Sequence, residues 1–273
     1  MRGGTTETRT WKVKAGQAEA RTDQLATEEP LEIRLVWEDG ERTVAVTMRT
    51  PGNDEELAAG FLYAESVIDR RDRIAGFAIP ETNIIEVELT EAPEADLPSL
   101  ERHFFSNSSC GVCGKAGLQA LQLRISGGVG RLPPGPELDP AILSSLPDRL
   151  REAQGIFEAT GGLHAAGLFD ASGRLIALRE DVGRHNALDK LFGWAFLQGL
   201  LPLHGHIALM SGRSSYEILQ KCLMAGVPVV CAVSAPSSLA VELANRFGIT
   251  LIGFLRGDRF NVYSGVERLP AAV

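Results

Sequence analysis

Alternating apolar and polar residues in the first third of the chain predict a small α+β unit. Residues 31–37 and 42–48 alternate as strands on either side of a Glu-Asp-Gly turn, which is the pattern of a β-hairpin. Apolar residues at helical spacing follow a Pro-Gly-Asn-Asp loop and run from Leu57 to Ala64. Two more apolar stretches, 74–79 and 84–89, are typical of strands. We expect these elements to belong to an N-terminal domain over residues 28–133.

Short apolar strands and amphipathic helices alternate in the second half of the chain. Helices are expected from Asp139, from Ala187, after 211–215 and after 234–238, and strands at 163–169, 175–178, 207–210, 227–233 and 249–255. This rhythm indicates a parallel sheet that helices cover on both faces. We therefore expect an α/β domain over residues 134–273, and we place its boundary in the glycine- and proline-rich stretch 127–136.

Two polar segments each follow a predicted strand and begin a helix. They are Ser211-Gly212-Arg213-Ser214 and Ser234-Ala235-Pro236-Ser237. Connections of one hand bring such segments to the carboxyl edge of the sheet, where α/β proteins bind ligands. Helix N-termini attract anions, and Arg213 can add a bidentate contact to phosphate. The serines alone could be helix caps, but two segments at one edge, one with an arginine, favour a phosphorylated ligand.

Other polar residues of the second half have two interpretations each. Asp181, Arg184, His185 and Asn186 make a segment that is too polar for simple packing, although a charged helix start can serve only as a cap. His164 lies in an apolar strand and is either a core histidine or a functional one. The run 256–265 is either an edge strand with a turn or a group of aromatic and amide side chains that contact a purine.

Two cysteines lie in a glycine- and serine-rich stretch, 103–117, as Cys110-Gly-Val-Cys113. Small polar residues favour turns, so we expect a flexible loop that exposes a nucleophilic thiolate, with Lys115 nearby to stabilise it. The alternative is half of a structural zinc site, which needs further ligands. No second pair exists, because Cys222 and Cys231 are nine residues apart in apolar runs and are expected in the core. Redox or sulfur chemistry is favoured.

Composition narrows the class of protein. The chain has 273 residues and a net charge of −8, which disfavours general nucleic-acid binding because that depends on neutralising phosphates. No stretch approaches about 20 consecutive apolar residues, so no membrane span is expected. Residues 1–27 form a polar leader, which we expect to be partly disordered and which lacks the apolar run of a secretory signal. Few cysteines and free thiols point to the reducing cytoplasm.

Several of these stretches together resemble the FdhD family, from about residue 28 to residue 265. The resemblance rests on five segments, which are 109–114 (Ser-Cys-Gly-Val-Cys-Gly), 160–166 (Thr-Gly-Gly-Leu-His-Ala-Ala), 180–190 (Glu-Asp-Val-Gly-Arg-His-Asn-Ala-Leu-Asp-Lys), 211–215 (Ser-Gly-Arg-Ser-Ser) and 259–263 (Arg-Phe-Asn-Val-Tyr). The long central segment is the most specific of them. The leader lies outside the resemblance.

The resemblance implies a sulfurtransferase that acts as a sulfur carrier in molybdenum cofactor biosynthesis. Such proteins accept sulfur from a cysteine desulfurase as a cysteine persulfide. They pass it to the molybdenum (or tungsten) bis-molybdopterin guanine dinucleotide cofactor before that cofactor enters formate dehydrogenase. Carried over by motif, Cys110 would bear the persulfide, and Cys113 would assist transfer or regenerate the thiol.

The resemblance also implies a fold and a cofactor site. The expected fold is a cytidine-deaminase-like three-layer α/β core with a mixed, largely parallel sheet, and the expected assembly is a homodimer without a structural metal. The cofactor-binding residues of the family map to Phe260, Asn261, Val262, Tyr263, Ser264 and Gly265. To these we add the polar candidates Ser211, Gly212, Arg213, Ser214, Arg184 and His185.

Three other functions are compatible with parts of the sequence to different degrees. A zinc deaminase needs His-x-Glu before Pro-Cys-x-x-Cys, whereas Ala166 stands where the glutamate would be and the cysteine pair precedes His164. A thioredoxin-like oxidoreductase is disfavoured because the pair does not follow a first strand and begin a helix. A chaperone that binds and delivers the cofactor without sulfur transfer stays open.

Overall fold

The structure, a computed structural model, describes residues 3–93 and 130–269. It begins with an antiparallel ribbon of β1 (Thr5–Lys14) and β2 (Gln17–Ala26), whose connecting residues Ala15 and Gly16 both have positive φ. Two consecutive positive φ angles belong to a type I′ turn, whose twist matches that of paired strands. The expectation of a partly disordered leader is therefore wrong for residues 5–26, because alternating threonine and charged residues pair there as strands.

The strands and the helix predicted for the N-terminal part of the chain are confirmed. Its elements are β3 (Glu29–Trp37), β4 (Gly40–Arg49), α1 (Asp54–Ala64), β5 (Ile74–Ala78) and β6 (Ile84–Leu89). The strands form one sheet in the order β4-β3-β6-β5, in which β3 and β6 are parallel and the outer pairs antiparallel. Alternate side chains of β3, Leu31, Ile33 and Leu35, are buried against Leu57 and Leu62 of α1.

A second sheet organises the rest of the described chain. Its elements are α2 (Pro140–Ala153), α3 (Gly155–Thr160), β7 (His164–Asp170), β8 (Leu175–Asp181), α4 (Arg184–Leu197), β9 (His206–Met210), α5 (Tyr216–Met224), β10 (Val229–Ala232), α6 (Ser238–Phe247), β11 (Thr250–Arg256) and β12 (Arg259–Ser264). The strand order is β12-β11-β10-β9-β7-β8. Among the described strands, the pairs β9–β10 and β10–β11 are parallel, and the other three pairs are antiparallel. The sheet is mixed as expected, but its parallel part is confined to three central strands.

Helices cover both faces of this sheet, as predicted. On one face, α4, α5 and α6 pack their apolar residues against the sheet. On the other face, Leu143, Leu146 and Leu150 of α2 do the same. Cys222 and Cys231 are fully buried, which confirms that both are core residues. Within residues 3–93 and 130–269, no helix is long and apolar enough to cross a lipid bilayer.

The two sheets are joined by a close crossing of α1 with α4. A Cβ added to Gly60 would lie 1.9 Å from the carbonyl oxygen of Asp189, and one added to Gly193 would lie 1.8 Å from that of Glu56. Only glycine permits backbones to approach this closely. Phe196 of α4 accordingly belongs to the core of the first sheet. The division into domains at residues 133 and 134, and the likeness to cytidine deaminases, stay predictions.

Candidate functional site

The two serine segments lie side by side at the carboxyl edge of β9 and β10, as predicted. The Ser214 N–H donates to the Ala235 carbonyl at 3.3 Å, and the Ser237 N–H donates to the Ser214 carbonyl at 2.9 Å. These bonds continue the parallel pairing of β9 and β10 past the strand ends, as an isolated bridge between Ser214 and Pro236. The N-termini of α5 and α6 therefore meet at one place and point the same way, an arrangement that suits an anion.

The serine side chains of these segments do not all have the same role. Ser237 caps α6 by accepting from the Ala240 N–H at 3.3 Å, and the Ser211 hydroxyl accepts from the Ala165 N–H at 2.9 Å. The cap interpretation is thus correct for Ser237. Ser214 differs, because its hydroxyl is buried and has no hydrogen-bond partner within the described part of the chain. Arg213 beside it is exposed.

A third helix N-terminus, that of α4, reaches the same edge. His185 Nε2 lies 3.2 Å from Glu217 Oε2 and 3.3 Å from the Ser215 hydroxyl, so the first turn of α4 is held against that of α5. A Cβ added to Gly212 would lie 3.3 Å from His164 Nδ1 and 3.6 Å from Arg184 Cδ. The structure therefore brings Arg184, His185 and His164 together with the first serine segment.

His164 is half-buried in this group. Burial lowers its pKa below the ordinary value, and the positive charge of Arg184 lowers the pKa further, whereas the nearby Asp181 carboxylate opposes both. The imidazole is thus held neutral near pH 7. A neutral imidazole beside the helix N-termini can donate or accept a hydrogen bond without adding charge.

Other polar residues of the central motif have a structural role. Asp181 and Lys190 are buried, and Lys190 Nζ lies 2.7 Å from Asp181 Oδ2. The same carboxylate accepts from the Thr50 and Gly183 N–H groups and from Asn186 Nδ2, at 3.1, 2.8 and 3.1 Å. Lys190 also donates to the Thr50 carbonyl at 2.8 Å. This buried network fastens the end of β4 to the start of α4, and so it sets the position of Arg184 and His185.

Residues 259–264 form the edge strand β12. The cofactor-binding residues that the family resemblance implies therefore lie along the whole length of this strand. Arg259 pairs with Arg256 at the carboxyl edge, whereas Gly265 accepts a hydrogen bond from the Thr250 hydroxyl at the amino end of β11. These ends are separated by about 20 Å at the usual rise per residue. The strand therefore places Phe260 and Asn261 near the serine segments and Ser264 and Gly265 far from them.

The two faces of β12 also differ. Phe260 and Val262 pack toward the α2 side of the sheet, and Tyr263 packs toward the α4, α5 and α6 side. Asn261 Nδ2 lies 3.4 Å from the Tyr263 hydroxyl. A Cβ added to Gly253 would touch both Tyr263 and Pro236, at 3.0 Å each. Tyr263 thus adjoins the second serine segment.

Sequence reasoning missed Phe254. The sequence predicts a continuous strand over 249–255, but the φ of Phe254 is +54° and the residue is 41% exposed. The pairing of β11 with β12 shifts register between Gly253 and Arg256, and the Phe254 N–H donates to the Ser234 carbonyl at 3.2 Å. A non-glycine residue in this backbone region is strained, and such strain gathers at functional sites. Gly253 inside the strand pattern was the available signal, since such a glycine often marks a bulge.

The predicted sulfur-bearing residues lie outside the described residues. Cys110, Cys113 and the whole stretch 103–117 fall between residues 93 and 130. Burial raises the pKa of the Cys231 thiol to about 12 and raises that of Cys222 as well. Neither described cysteine can therefore supply a thiolate near neutral pH. Residues 3–93 and 130–269 hold no cluster of three or more His, Cys, Asp or Glu side chains suited to a metal ion.

Comparisons with known proteins agree over nearly the whole chain. A protein from Streptomyces avermitilis named "Sulfur carrier protein FdhD" is 49% identical over 267 residues, covering 94% of this chain and 93% of its own. Proteins of the same name from Mycobacterium tuberculosis and Sulfurisphaera tokodaii are 48% and 45% identical and cover 94% and 95% of this chain and 95% and 96% of their own.

A solved structure has the same fold. The crystal structure of a protein from Desulfotalea psychrophila, assigned as a formate dehydrogenase accessory protein, superposes with a TM-score of 0.74. It is 25% identical in sequence and covers 97% of this chain and 99% of its own. The family model described as "FdhD/NarQ family" matches residues 26–270. The chain therefore belongs to the FdhD/NarQ family.

Proposed function

We propose that this protein is a sulfur carrier that serves formate dehydrogenase. The observation that carries the proposal is the match, over more than nine-tenths of both chains, with proteins named sulfur carriers at 45–49% identity. The likeness to the accessory protein from Desulfotalea psychrophila supports the same client enzyme. The proposed compartment is the cytoplasm, where a thiol stays reduced.

Cys110 is the proposed sulfur-bearing residue, and a cysteine desulfurase is the proposed donor. In the transfer, the Cys110 thiolate attacks the outer sulfur of the persulfide on the desulfurase. The sulfur–sulfur bond of the donor breaks, its cysteine leaves as a thiolate, and Cys110 becomes the persulfide, so the electrons balance without another oxidant. The buried and protonated state of Cys222 and Cys231 supports this choice, because it leaves Cys110 and Cys113 as the two remaining thiols.

The proposed acceptor is the molybdenum or tungsten bis-guanine-dinucleotide cofactor, held as a substrate at the carboxyl edge. Its pyrophosphate groups suit the N-termini of α5 and α6, with Arg213 and the buried Ser214 hydroxyl beside them. A guanine ring suits the amide of Asn261 and the aromatic rings of Tyr263 and Phe254. Within the family-implied segment, we assign this contact to residues 260–263 rather than to Ser264 and Gly265.

The test of sulfur carriage is intact mass after incubation with a cysteine desulfurase and cysteine, followed by peptide mapping. We expect a gain of one sulfur atom that reductant reverses and that maps to Cys110. A Cys110→Ser protein, which keeps the other three cysteines, should gain none. A gain that maps to Cys222 or Cys231, or no gain while the desulfurase turns over, would overturn the proposal.

A second candidate is a chaperone that delivers the cofactor without carrying sulfur. It is favoured by one observation, namely that the described binding edge is assembled from residues 164–263 without a cysteine side chain. A Cys110→Ala protein separates the two functions. If it still matures formate dehydrogenase, the chaperone is correct; if it binds guanosine diphosphate normally but yields inactive dehydrogenase, sulfur carriage is correct.

A further inference from the structure

The β1–β2 ribbon extends from the body of the protein. Among residues 3–93 and 130–269, its side-chain contacts with the body lie near its base. The Thr27 N–H donates to the Gly4 carbonyl at 3.0 Å, and the Thr6 and Thr27 hydroxyls are 2.8 Å apart. Gly4 also lies against Ile156 of α3. From residue 11 to residue 22 every side chain is exposed.

One face of the outer half of this ribbon is apolar. Trp11 pairs with Ala20 and Val13 pairs with Ala18, so these four side chains lie on the same face. Trp11 is 62% exposed and Val13 is 67% exposed. The opposite face of the same half has charged side chains, since residues 12, 14, 19 and 21 are Lys, Lys, Glu and Arg. The ribbon is therefore amphipathic with its apolar face uncovered in the single chain.

An isolated two-stranded hairpin is marginally stable in water, so this ribbon needs a covering surface. The charges favour a second copy of the same chain. Residues 1–27 have five basic and three acidic residues, a net charge of +2, which leaves −10 for the rest of the chain. The charged side chains of the outer half lie on the face away from the proposed contact, so they attract the arm to an acidic body at long range, and here both belong to the same molecule.

The size of the arm favours a dimer in which each copy packs its arm on the body of the other. Strands of ten residues are about 34 Å long, and two paired strands are about 10 Å wide, so the whole of this face, which is apolar in its outer half and polar toward its base, offers roughly 340 Å². One arm on one body would bury roughly 680 Å² in total, below the range of stable interfaces, whereas two reciprocal arms bury roughly 1,360 Å², within that range. Two-fold symmetry provides this doubling only when the partner is a second copy.

We propose that the β1–β2 ribbon is a dimerisation arm whose Trp11 face packs on the body of a second copy of this chain. The proposal gives a surface to the homodimer that the family resemblance implies, and it does not depend on sulfur carriage. Trp11 is the central anchor, because exposed tryptophans at interfaces contribute disproportionately to binding.

The test is sedimentation velocity of the full chain across a range of micromolar concentrations. We expect a dimer for the wild-type protein and a dissociation constant raised by roughly 100-fold or more in Trp11→Glu/Val13→Glu, because a charge then faces the interface. The control Thr10→Glu/Gln17→Glu places the same two charges on the opposite face of the ribbon and should stay dimeric. Unchanged thermal unfolding of the body in both variants shows that they are folded.

The fluorescence of Trp11 gives a second measurement. On dilution, the wild-type emission should move to longer wavelength as Trp11 becomes exposed, and Trp11→Phe should abolish this shift while Trp37 and Trp194 remain. A wild-type protein that is monomeric throughout would overturn the dimer itself. If the Trp11→Glu/Val13→Glu protein dimerises normally, the arm is not the dimer interface, and the two copies contact each other through another surface.

Discussion

Replacing Asp181 with asparagine should destabilise the protein more than any single surface change. Asn keeps the shape of the side chain but removes the charge that faces Lys190 Nζ at 2.7 Å, and both residues are at most 1% exposed. Breaking a buried ion pair by removing one partner costs about 3–5 kcal/mol, because the ammonium of Lys190 would stay buried against neutral groups such as the Thr50 carbonyl. Since a whole domain is stable by about 5–15 kcal/mol, this loss is large.

Equilibrium unfolding in urea, followed by circular dichroism, measures that loss as a lower midpoint. The matched control is Asp72→Asn, which breaks the exposed pair with Arg70 at 3.2 Å and should cost about 0–1 kcal/mol. The double variant Asp181→Asn/Lys190→Met should be less destabilised than the sum of its single changes, since it leaves no buried charge. A loss below about 1 kcal/mol for Asp181→Asn would refute the reasoning, because it would mean that water reaches the pair.

Three further outcomes are expected. Gly193→Ala should lower the thermal midpoint strongly in calorimetry, because its Cβ would overlap a carbonyl of α1; an unchanged midpoint would mean that the helices separate easily. Because the pKa of His164 is lowered in the folded state, the unfolded state binds the proton first, so stability should fall as pH decreases below about 6.5. The free energy of unfolding in urea should therefore differ between pH 7.5 and pH 5.5, and this difference should be smaller for His164→Gln than for the wild-type protein. Arg213→Ala should weaken binding of guanosine diphosphate by about tenfold in calorimetry, whereas the control Arg246→Ala should not weaken it. Equal losses of affinity in both variants would mean that the phosphates are attracted by the general charge of the protein and not by the serine segments.

The periodic elements could be predicted from the sequence because their signals are local. Strands β3, β4 and β6 alternate within a few residues, and the serine segments between β9 and α5 and between β10 and α6 follow from chain order and the handedness of crossovers. The two buried cysteines were also predicted, since apolar runs surround both.

The features that were missed depend on partners far along the chain. Asp181 looked functional because its neighbours are polar, yet its role is fixed by Thr50, which comes 131 residues earlier. The bulge at Phe254 depends on the Ser234 carbonyl and on the pairing of β12, and neither can be seen from residues 249–255 alone. The β1–β2 ribbon mostly alternates threonine with charged residues, and apolar alternation is confined to the few residues around Trp11 and Ala18, so its clearest local signal is the Ala15-Gly16 turn.

Phe254 shows how selection for stability and selection for binding can favour different residues at one position. A phenylalanine with φ at +54° costs about 1–3 kcal/mol of backbone strain that glycine would not incur. A search for stabilising substitutions would therefore choose Phe254→Gly. The same change would delete an exposed aromatic ring from the edge where the cofactor is proposed to bind, so a more heat-resistant protein would be a poorer carrier.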